Sequence, residues 1–201
     1  MRPVRLRSVR LLLPTCAALA LAACFGGGKV PATLLTLTPQ AAPPATLARA
    51  ATAGEAVTIE LPAIPQELDQ VRVPVLESPG RVTYVQDLQY VDTPDRLFQQ
   101  LLTETVKRTT SRVVLGPSQA ALDPGLRVTG TLERFGYDVA SGQVIVIYDA
   151  ALSTAGGGRV ETRRFQATAP ADGTAATVGP AINQAANAVA LQAAQWIGGN
   201  G

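Results

Sequence analysis

The sequence predicts an α+β fold, a two-layer sandwich in which two main helices pack on one face of an antiparallel or mixed β-sheet. Several short segments alternate apolar and polar residues, which is typical of half-buried strands. Two longer segments repeat their apolar residues at helical spacing. The last three candidate strands are separated by short turns, which favours an antiparallel meander with helices laid on the sheet.

The first half of the chain contains five candidate strands. Val57–Leu61 alternates with a period of two before Pro62, as a half-buried strand does. Pro74 lies inside another candidate, and we expect an edge strand or a bulge there because proline has no N–H for a sheet hydrogen bond. Residues 39–56 are rich in Ala, Pro and Thr and are predicted to form a loop. The candidate strands are 33–37, 57–61, 71–75, 81–85 and 112–115.

Both predicted helices have recognisable ends. Thr93 and Pro94 suit the N-cap and the first helical position of the first helix, which the apolar spacing from Leu97 to Val106 supports. The closing helix is predicted over Ala175–Ile197, and its many alanines allow close packing on a sheet or another helix. Its apolar stripe consists of Val178, Ile182, Ala185, Val189, Ala193 and Trp196.

The meander is predicted between residues 126 and 168. The even-numbered residues from Leu126 to Leu132 face one side of the first strand, and the odd-numbered ones face the other. Val144–Leu152 is nearly all apolar, which predicts a central strand covered on much of both faces. Turns are expected at Ser141-Gly142 and at Gly156–Gly158, and Arg159–Thr168 is the last strand.

The N-terminus has the features of a secretion signal. Four arginines within the first ten residues precede the apolar segment 11–23, which is shorter than the ~20 residues that a spanning helix needs. The segment ends in Leu21-Ala22-Ala23-Cys24, which resembles the lipobox of bacterial lipoproteins. This resemblance implies cleavage after Ala23, a diacylglycerol on the Cys24 thiol and acylation of the new amine. A plain signal peptide with an incidental cysteine is the alternative.

These features divide the chain into four parts. Residues 1–23 are expected to be a removed signal peptide, and residues 24–56 the lipidated N-terminus with the strand 33–37 and the loop. Residues 57–197 are expected to form a single α+β domain whose sheet the strand 33–37 joins, and residues 198–201 a Gly-rich tail. By the bacterial sorting rule, Phe25 after the cysteine favours the outer membrane over the inner one.

The composition excludes several classes of function. The 201-residue chain has no histidine, which rules out a Ser-His-Asp triad, a Cys-His dyad and an imidazole metal site. Without residues 1–23 it has thirteen basic and fifteen acidic residues, a net charge of −2, which argues against a nucleic-acid partner. Gly26-Gly27-Gly28-Lys29 does not fit the phosphate-loop spacing. No metal or cofactor is predicted.

Candidate functional residues remain beyond Cys24. The carboxylates of Glu133, Asp138 and Asp149 are the candidates for acid–base chemistry, although strands of any surface sheet carry acids. Arg163 and Arg164 alternate across a strand, so that one faces solvent and the other the helix layer. The alanine stripe and Val144–Leu152 could line a lipid groove or, as amphipathic elements mostly do, form the core. Trp196 is expected to seal the helix end against the sheet.

Three segments of the chain, in this order and with the lipobox before them, resemble the ABC-type transport auxiliary lipoprotein family. They are 126–138, Arg163-Arg164-Phe165-Gln166-Ala167, and 181–190 continuing to Trp196. The likeness extends over residues 33–197. Leu34-Leu35, Gln70 and Tyr90 depart from residues common in the family, which places any contact surface at those positions in doubt.

The resemblance implies a role in the bacterial envelope. Members work beside MCE-type transport systems, which combine an ABC ATPase, a permease and an MCE protein that bridges the periplasm. The expected function is therefore a non-catalytic, membrane-anchored auxiliary component facing the periplasm, with an MCE protein as partner and phospholipid or another hydrophobic molecule as cargo. A lipoprotein that itself binds a hydrophobic ligand is the alternative, and self-association is left open.

Overall fold

The computed structural model describes residues 33–44, 48–123, 125–154 and 157–199. The signal segment, Cys24 and part of the Gly156–Gly158 turn lie outside the described residues. Within these ranges, eight strands form one mixed sheet and two long helices accompany it, which confirms the predicted α+β class. The strands are β1 (Thr33–Leu35), β2 (Val57–Ile59), β3 (Arg72–Ser78), β4 (Arg81–Tyr90), β5 (Val114–Leu115), β6 (Leu126–Asp138), β7 (Gln143–Ser153) and β8 (Val160–Pro170), and the helices are α1 (Pro94–Thr109) and α2 (Ala175–Gly199).

Strand β6 is the centre of the sheet. One of its edges pairs antiparallel with β7 along the whole strand, and β7 pairs antiparallel with β8, so that the predicted meander is confirmed. The other edge is shared, because β2 pairs in parallel with its beginning and β3 in parallel with its end. A bridge between Ala63 and Thr131 lies between these two contacts. The sheet therefore runs β1-β4-β3-β6-β2-β5, with β7 and β8 on the far side of β6.

Pro74 lies in a central strand, so the predicted edge position is wrong. Strand β3 lies between β4 and β6, but the pairing of β3 with β4 shifts register between Arg72 and Pro74. The alternative prediction of a bulge is thus correct. Gly136 of β6 makes room for the proline, since a Cβ at that position would lie 2.4 Å from the Pro74 carbonyl oxygen.

The predicted cover on both faces of β7 is also wrong. Val144, Val146 and Tyr148 are fully buried under the helices, whereas Ile145 and Ile147 on the opposite face are half-buried. We call the face under α1 and α2 the inner face of the sheet and the opposite one the outer face. The apolar run of β7 therefore reflects a central position in the sheet, with helices on one side only.

The core lies between the inner face and the two helices. The ring of Phe98 in α1 lies 5.0 Å from that of Tyr148 and 6.4 Å from that of Phe135, measured between centroids. Helix α2 buries its apolar stripe from Val178 to Ala193, and Trp196 at the end of the stripe is half-buried, so the stripe belongs to the core. Small side chains allow α2 to approach both the sheet and α1 closely.

The helix starts differ in how they are capped. Helix α1 begins at Pro94 as predicted, but the Thr93 side chain makes no capping hydrogen bond. At α2, the Asp172 carboxylate accepts hydrogen bonds from the Thr177 hydroxyl and from the hydroxyl and N–H of Thr174. These bonds lower the pKa of Asp172 to about 2. The closing helix runs two residues beyond the predicted end, to Gly199.

Gly130 in β6 offers a test of this packing. A Cβ there would lie 2.3 Å from the Asp149 carbonyl oxygen and 2.7 Å from the Tyr148 ring. We expect Gly130→Ala to destabilise the protein by about 1–3 kcal/mol, because neither the backbone of β7 nor the buried ring can give way freely. Gly158→Ala is the control, since the nearest atom to its Cβ would be 3.8 Å away. Equal urea midpoints for the two variants would contradict this packing of β6 against β7.

Candidate functional site

The described chain begins with a segment that is bound across the helices, and we call residues 33–41 the strap. Its first part is β1, which pairs in parallel with the end of β4. Beyond β1, the Thr38 N–H donates to the Asn183 side-chain oxygen at 2.8 Å. The Gln40 N–H donates to the side-chain oxygen of Asn187 at 2.7 Å, and the Asn187 amide donates to the Thr38 carbonyl at 2.9 Å. Side chains of α2 thus replace a strand as the partner of the strap backbone.

The sequence of α2 explains this contact. Asn183 and Asn187 are four residues apart and therefore lie on one side of the helix. Asn187 is 7% exposed, and its amide also donates to the Asn183 carbonyl at 2.8 Å. Leu35 and Leu37 of the strap are partly buried against the core. Apolar packing and amide hydrogen bonds together fix the strap.

Two arginines extend the attachment toward the carboxyl end of α1. Arg108 donates to the Ala41 carbonyl at 2.9 Å and forms an ion pair with Glu104 at 2.7 Å. Arg49 donates to the carbonyl oxygens of Lys107 and Thr110. The last carbonyls of a helix lack partners within the helix and carry partial negative charge, which makes a guanidinium a suitable partner. The N-terminal segment is thereby joined to both helices.

The outer face of the sheet carries an apolar groove with a volume of about 260 Å³. Pro74 and Leu76 of β3, Val82 of β4, Gly136 of β6 and Ile145 of β7 line it. These apolar residues remain accessible because both helices lie on the inner face and neither covers the outer one. Charged side chains at its margin include those of Glu67, Glu133, Arg134 and Asp138.

Two of the three candidate carboxylates, those of Asp138 and Asp149, lie too far apart to act as a catalytic pair. Asp138 accepts a hydrogen bond from the Ser141 hydroxyl at 2.6 Å, in the turn between β6 and β7. Asp149 lies opposite Thr131 and six residues along β7 from Gln143, the partner of Asp138. At ~3.4 Å per residue this separates Asp138 from Asp149 by about 20 Å, whereas paired glycosidase carboxylates are ~5–9.5 Å apart.

Asp149 is instead neutralised by Arg164 across the strand pair. The guanidinium of Arg164 binds both oxygens of Asp149, at 2.6 and 2.5 Å, on the outer face. The hydrogen bond from Arg164 lowers the pKa of Asp149, which is the wrong direction for a general acid. The hydrogen bond and the charge of Asp149 raise the pKa of Arg164, and the charge of Glu133 adds a smaller contribution.

Arg163 and Trp196 lie on the inner side of the same sheet edge. The Arg163 guanidinium lies 5.7 Å above the Phe165 ring, and that ring lies 5.5 Å from the ring of Trp196. The two arginines thus face opposite sides of the sheet, as the alternation predicts. Trp196 is half-buried against β8, in agreement with the expected seal.

The described residues contain no cluster of three or more His, Cys, Asp or Glu side chains able to hold a metal ion. Within the same residues, neither helix combines the length and the apolarity required to cross a bilayer.

Comparison with known proteins decides the family. The family model of the ABC-type transport auxiliary lipoprotein component matches residues 35–194. The chain belongs to this family. Among curated proteins, none matches the sequence significantly. The matched region begins at the last residue of β1 and ends in α2, so it includes most of the strap and most of the helix that holds it.

Solved structures support the fold of this family member. Protein XCC0632 from Xanthomonas campestris has a TM-score of 0.69 at 18% identity, covering 83% of this chain and 95% of its own. An uncharacterized protein has a TM-score of 0.58 at 13% identity, covering 75% of this chain and 94% of its own. At such identities the likeness shows the fold alone.

Sequence reasoning missed the two asparagines that hold the strap and the residues that form the groove. Asn183 and Asn187 were recognised only as part of a familiar segment. Two asparagines one turn apart on the apolar side of an Ala-rich helix are a usable signal, because a buried amide needs backbone or side-chain partners. The groove had no such signal, since Leu76 and Val82 belong to strands whose relative placement depends on β6.

We expect Asn187→Ala to destabilise the protein by about 1–3 kcal/mol, because the Gln40 N–H and the Thr38 carbonyl would lose their partner in a half-buried site. Hydrogen exchange at the Gln40 amide should accelerate more than exchange in β7. Gln184→Ala is the control, because Gln184 is exposed on the same helix. Unchanged exchange at Gln40 in Asn187→Ala would contradict the described attachment of the strap.

Proposed function

We propose that this protein is a membrane-anchored, periplasm-facing lipoprotein that acts as a non-catalytic auxiliary component of an MCE/ABC-type lipid transport system. One observation carries the proposal: the auxiliary lipoprotein family matches residues 35–194, and Leu21-Ala22-Ala23-Cys24 stands directly upstream of the matched region. The two features together suit an envelope component whose folded part follows a lipid anchor.

The anchor in this proposal is the Cys24 thiol. One acyl chain holds a protein to a membrane only marginally, at ~0.8 kcal/mol per buried methylene, whereas two or more make a stable anchor. Thr33 follows Cys24 by nine residues, which reach at most about 30 Å when fully extended. The hydrogen-bonded strap would therefore keep the sheet close to the lipid surface. Phe25 favours the outer membrane for this anchor.

The partner in this proposal is an MCE protein, and the outer face is the surface that we assign to it. The inner face is buried under α1 and α2, whereas the outer face presents an open apolar groove. A non-catalytic role is supported by the ion pair that neutralises Asp149 and by the separation of Asp138 from it. The chain would thus contribute binding and position to the transport system.

Substitution of the two cysteines tests the anchor. We expect Cys24→Ala to abolish acylation and to move the protein from the membrane fraction, because the lipid attachment point is lost. Cys16→Ala is the matched control, since Cys16 lies within the segment predicted to be removed. Fractionation of the envelope and the intact mass of the purified chain measure both effects. The anchor would be refuted by a Cys24→Ala protein that stays in the membrane fraction with unchanged mass.

The transport assignment has a separate measurement. Chemical cross-linking in intact envelopes, followed by mass spectrometry of the purified lipoprotein, should recover an MCE protein. The cross-linking yield must be high enough to capture known envelope complexes. If the anchored chain is then recovered without an MCE protein, the transport assignment is wrong, whereas the proposed anchor is unaffected.

A second candidate function is that the chain itself binds a hydrophobic ligand, which the outer groove favours. Its volume of about 260 Å³ is just below the ~300 Å³ at which pockets for drug-sized ligands begin. The groove would therefore hold one acyl chain or one apolar side chain of a partner, rather than a whole two-chain lipid. These two occupants distinguish the lipid carrier from the adaptor.

Native mass spectrometry of protein purified from membranes separates these two functions. If the chain carries lipid, the wild type should retain a bound lipid and Ile145→Glu should lose it, because a carboxylate would be placed in the apolar groove. Ile147→Glu is the control, since Ile147 lies two residues further along the same face of β7 and does not line the groove. The adaptor would be favoured if the wild type retained no lipid and if Ile145→Glu, but not Ile147→Glu, no longer cross-linked to the MCE protein.

A further inference from the structure

Strand β8 presents a long edge that the described part of the chain leaves without a strand partner. It pairs with β7 over eleven residues without a register shift, and its proline is its last residue, Pro170. Natural edge strands are usually short or are blunted by charged side chains, bulges, prolines or a covering element. The charged residues of β8 are Glu161, Arg163 and Arg164. Here the cover is partial, because Gln192 of α2 donates to the Gln166 carbonyl at 3.4 Å. The edge from residue 160 to residue 165 is open.

The hydrogen bonds at the two ends of the β7–β8 ladder show which backbone groups of this edge point outward. The Thr154 N–H donates to the Arg159 carbonyl at one end of the ladder, and the Ala171 N–H donates to the Gly142 carbonyl at the other end. Residues exchange both backbone bonds with a neighbouring strand only at alternate positions. Odd-numbered residues of β8 are therefore bonded to β7, and Thr162 and Arg164 offer their N–H and carbonyl groups to the open edge.

The open edge carries opposite charges two residues apart along the strand, on Glu161 and Arg163. Glu161 and Arg163 both lie on the inner face, opposite Leu152 and Ala150 of β7. Arg163 contacts the Phe165 ring and has no carboxylate within ion-pair distance among the described residues. Glu161 is paired with Arg159, the residue just before β8. A second strand with the same sequence in the opposite direction would bring an acid to Arg163.

We propose that β8 pairs antiparallel with β8 of a second copy of this chain, about a two-fold axis at Thr162. Thr162 then faces its own counterpart, and Val160 faces Arg164, at the positions where both strands offer outward backbone groups. Glu161 of each copy faces Arg163 of the other at the non-hydrogen-bonded positions, where Cα atoms are only ~4.5 Å apart and side chains are closest. The inference does not depend on the proposed function.

Three neighbouring registers of the β8–β8 pair are disfavoured, either because like charges face each other or because Gln192 covers part of the edge. An axis at Arg163 places that arginine against itself, and an axis at Glu161 does the same for two carboxylates. An axis at Arg164 opposes two guanidinium groups and requires the Gln166 backbone, which Gln192 occupies. Like charges directly opposite each other destabilise a strand pair, so the axis at Thr162 is favoured over these three registers.

Charge exchange tests the pairing in the full lipidated chain solubilised in detergent. Native mass spectrometry should show a dimer for the wild type, and Arg163→Glu should raise the dimer Kd by at least about tenfold because Glu161 would then face a second carboxylate. The double variant Glu161→Arg with Arg163→Glu should restore the dimer, because the two charges are exchanged and remain complementary. Thermal unfolding of the variants confirms that each is folded.

Cross-linking tests the register independently. Thr162→Cys should form a covalent dimer with a short bis-maleimide, since the two Cα atoms would be ~5.5 Å apart. Thr168→Cys, on the same face of β8, is the control and should not react across the interface. The proposal would be overturned by a monomeric wild type, by a dimer that Arg163→Glu leaves unchanged, or by a double variant that stays monomeric. Cross-linking at Thr168→Cys equal to that at Thr162→Cys would overturn it too, as would a larger assembly in which Thr162→Cys fails to cross-link.

Discussion

The division of the β6 backbone among three neighbours is the constraint on which the rest of the structure depends. Its whole length pairs with β7 on one edge, while β2 and β3 share the other edge. Two glycines permit this crowding, because a Cβ at Gly130 or Gly136 would overlap backbone atoms of a neighbouring strand. The aromatic residues beside them, such as Phe135, face the helices. One side of the sheet is thereby closed, and the other side is left with an open apolar groove.

The strap obtains its hydrogen bonds in a different way from the strands. After β1 its backbone leaves the sheet, so its N–H and carbonyl groups need other partners. The amides of Asn183 and Asn187 supply them from a helix that carries no charged residue between positions 173 and 199. Since α2 is also packed against α1 and the sheet, these two side chains tie the strap to the core of the domain.

Local patterns in the sequence were sufficient for the fold class, for the antiparallel meander and for the start of α1 at Pro94. Each of these depends on residues that are neighbours in the chain, such as alternation within a strand or a proline at a first helical turn. The parallel contacts of β2 and β3 with β6 were not predictable, because they join short segments that are far apart in sequence. The same long-range contacts make Pro74 central instead of peripheral and bring Leu76 and Val82 to the groove. An apolar run such as that of β7 cannot by itself tell whether one face or both are covered.

The sheet places β1, where the described chain begins, far from the open edge of β8. Along the path β1-β4-β3-β6-β7-β8, strands β1 and β8 are the two ends, and five steps of ~4.8 Å place them about 24 Å apart. A second copy at β8 would therefore leave β1 unobstructed. A two-fold axis perpendicular to the sheet also keeps both outer faces on the same side. Pairing at β8 would thus present two grooves together and leave β1 of each copy free.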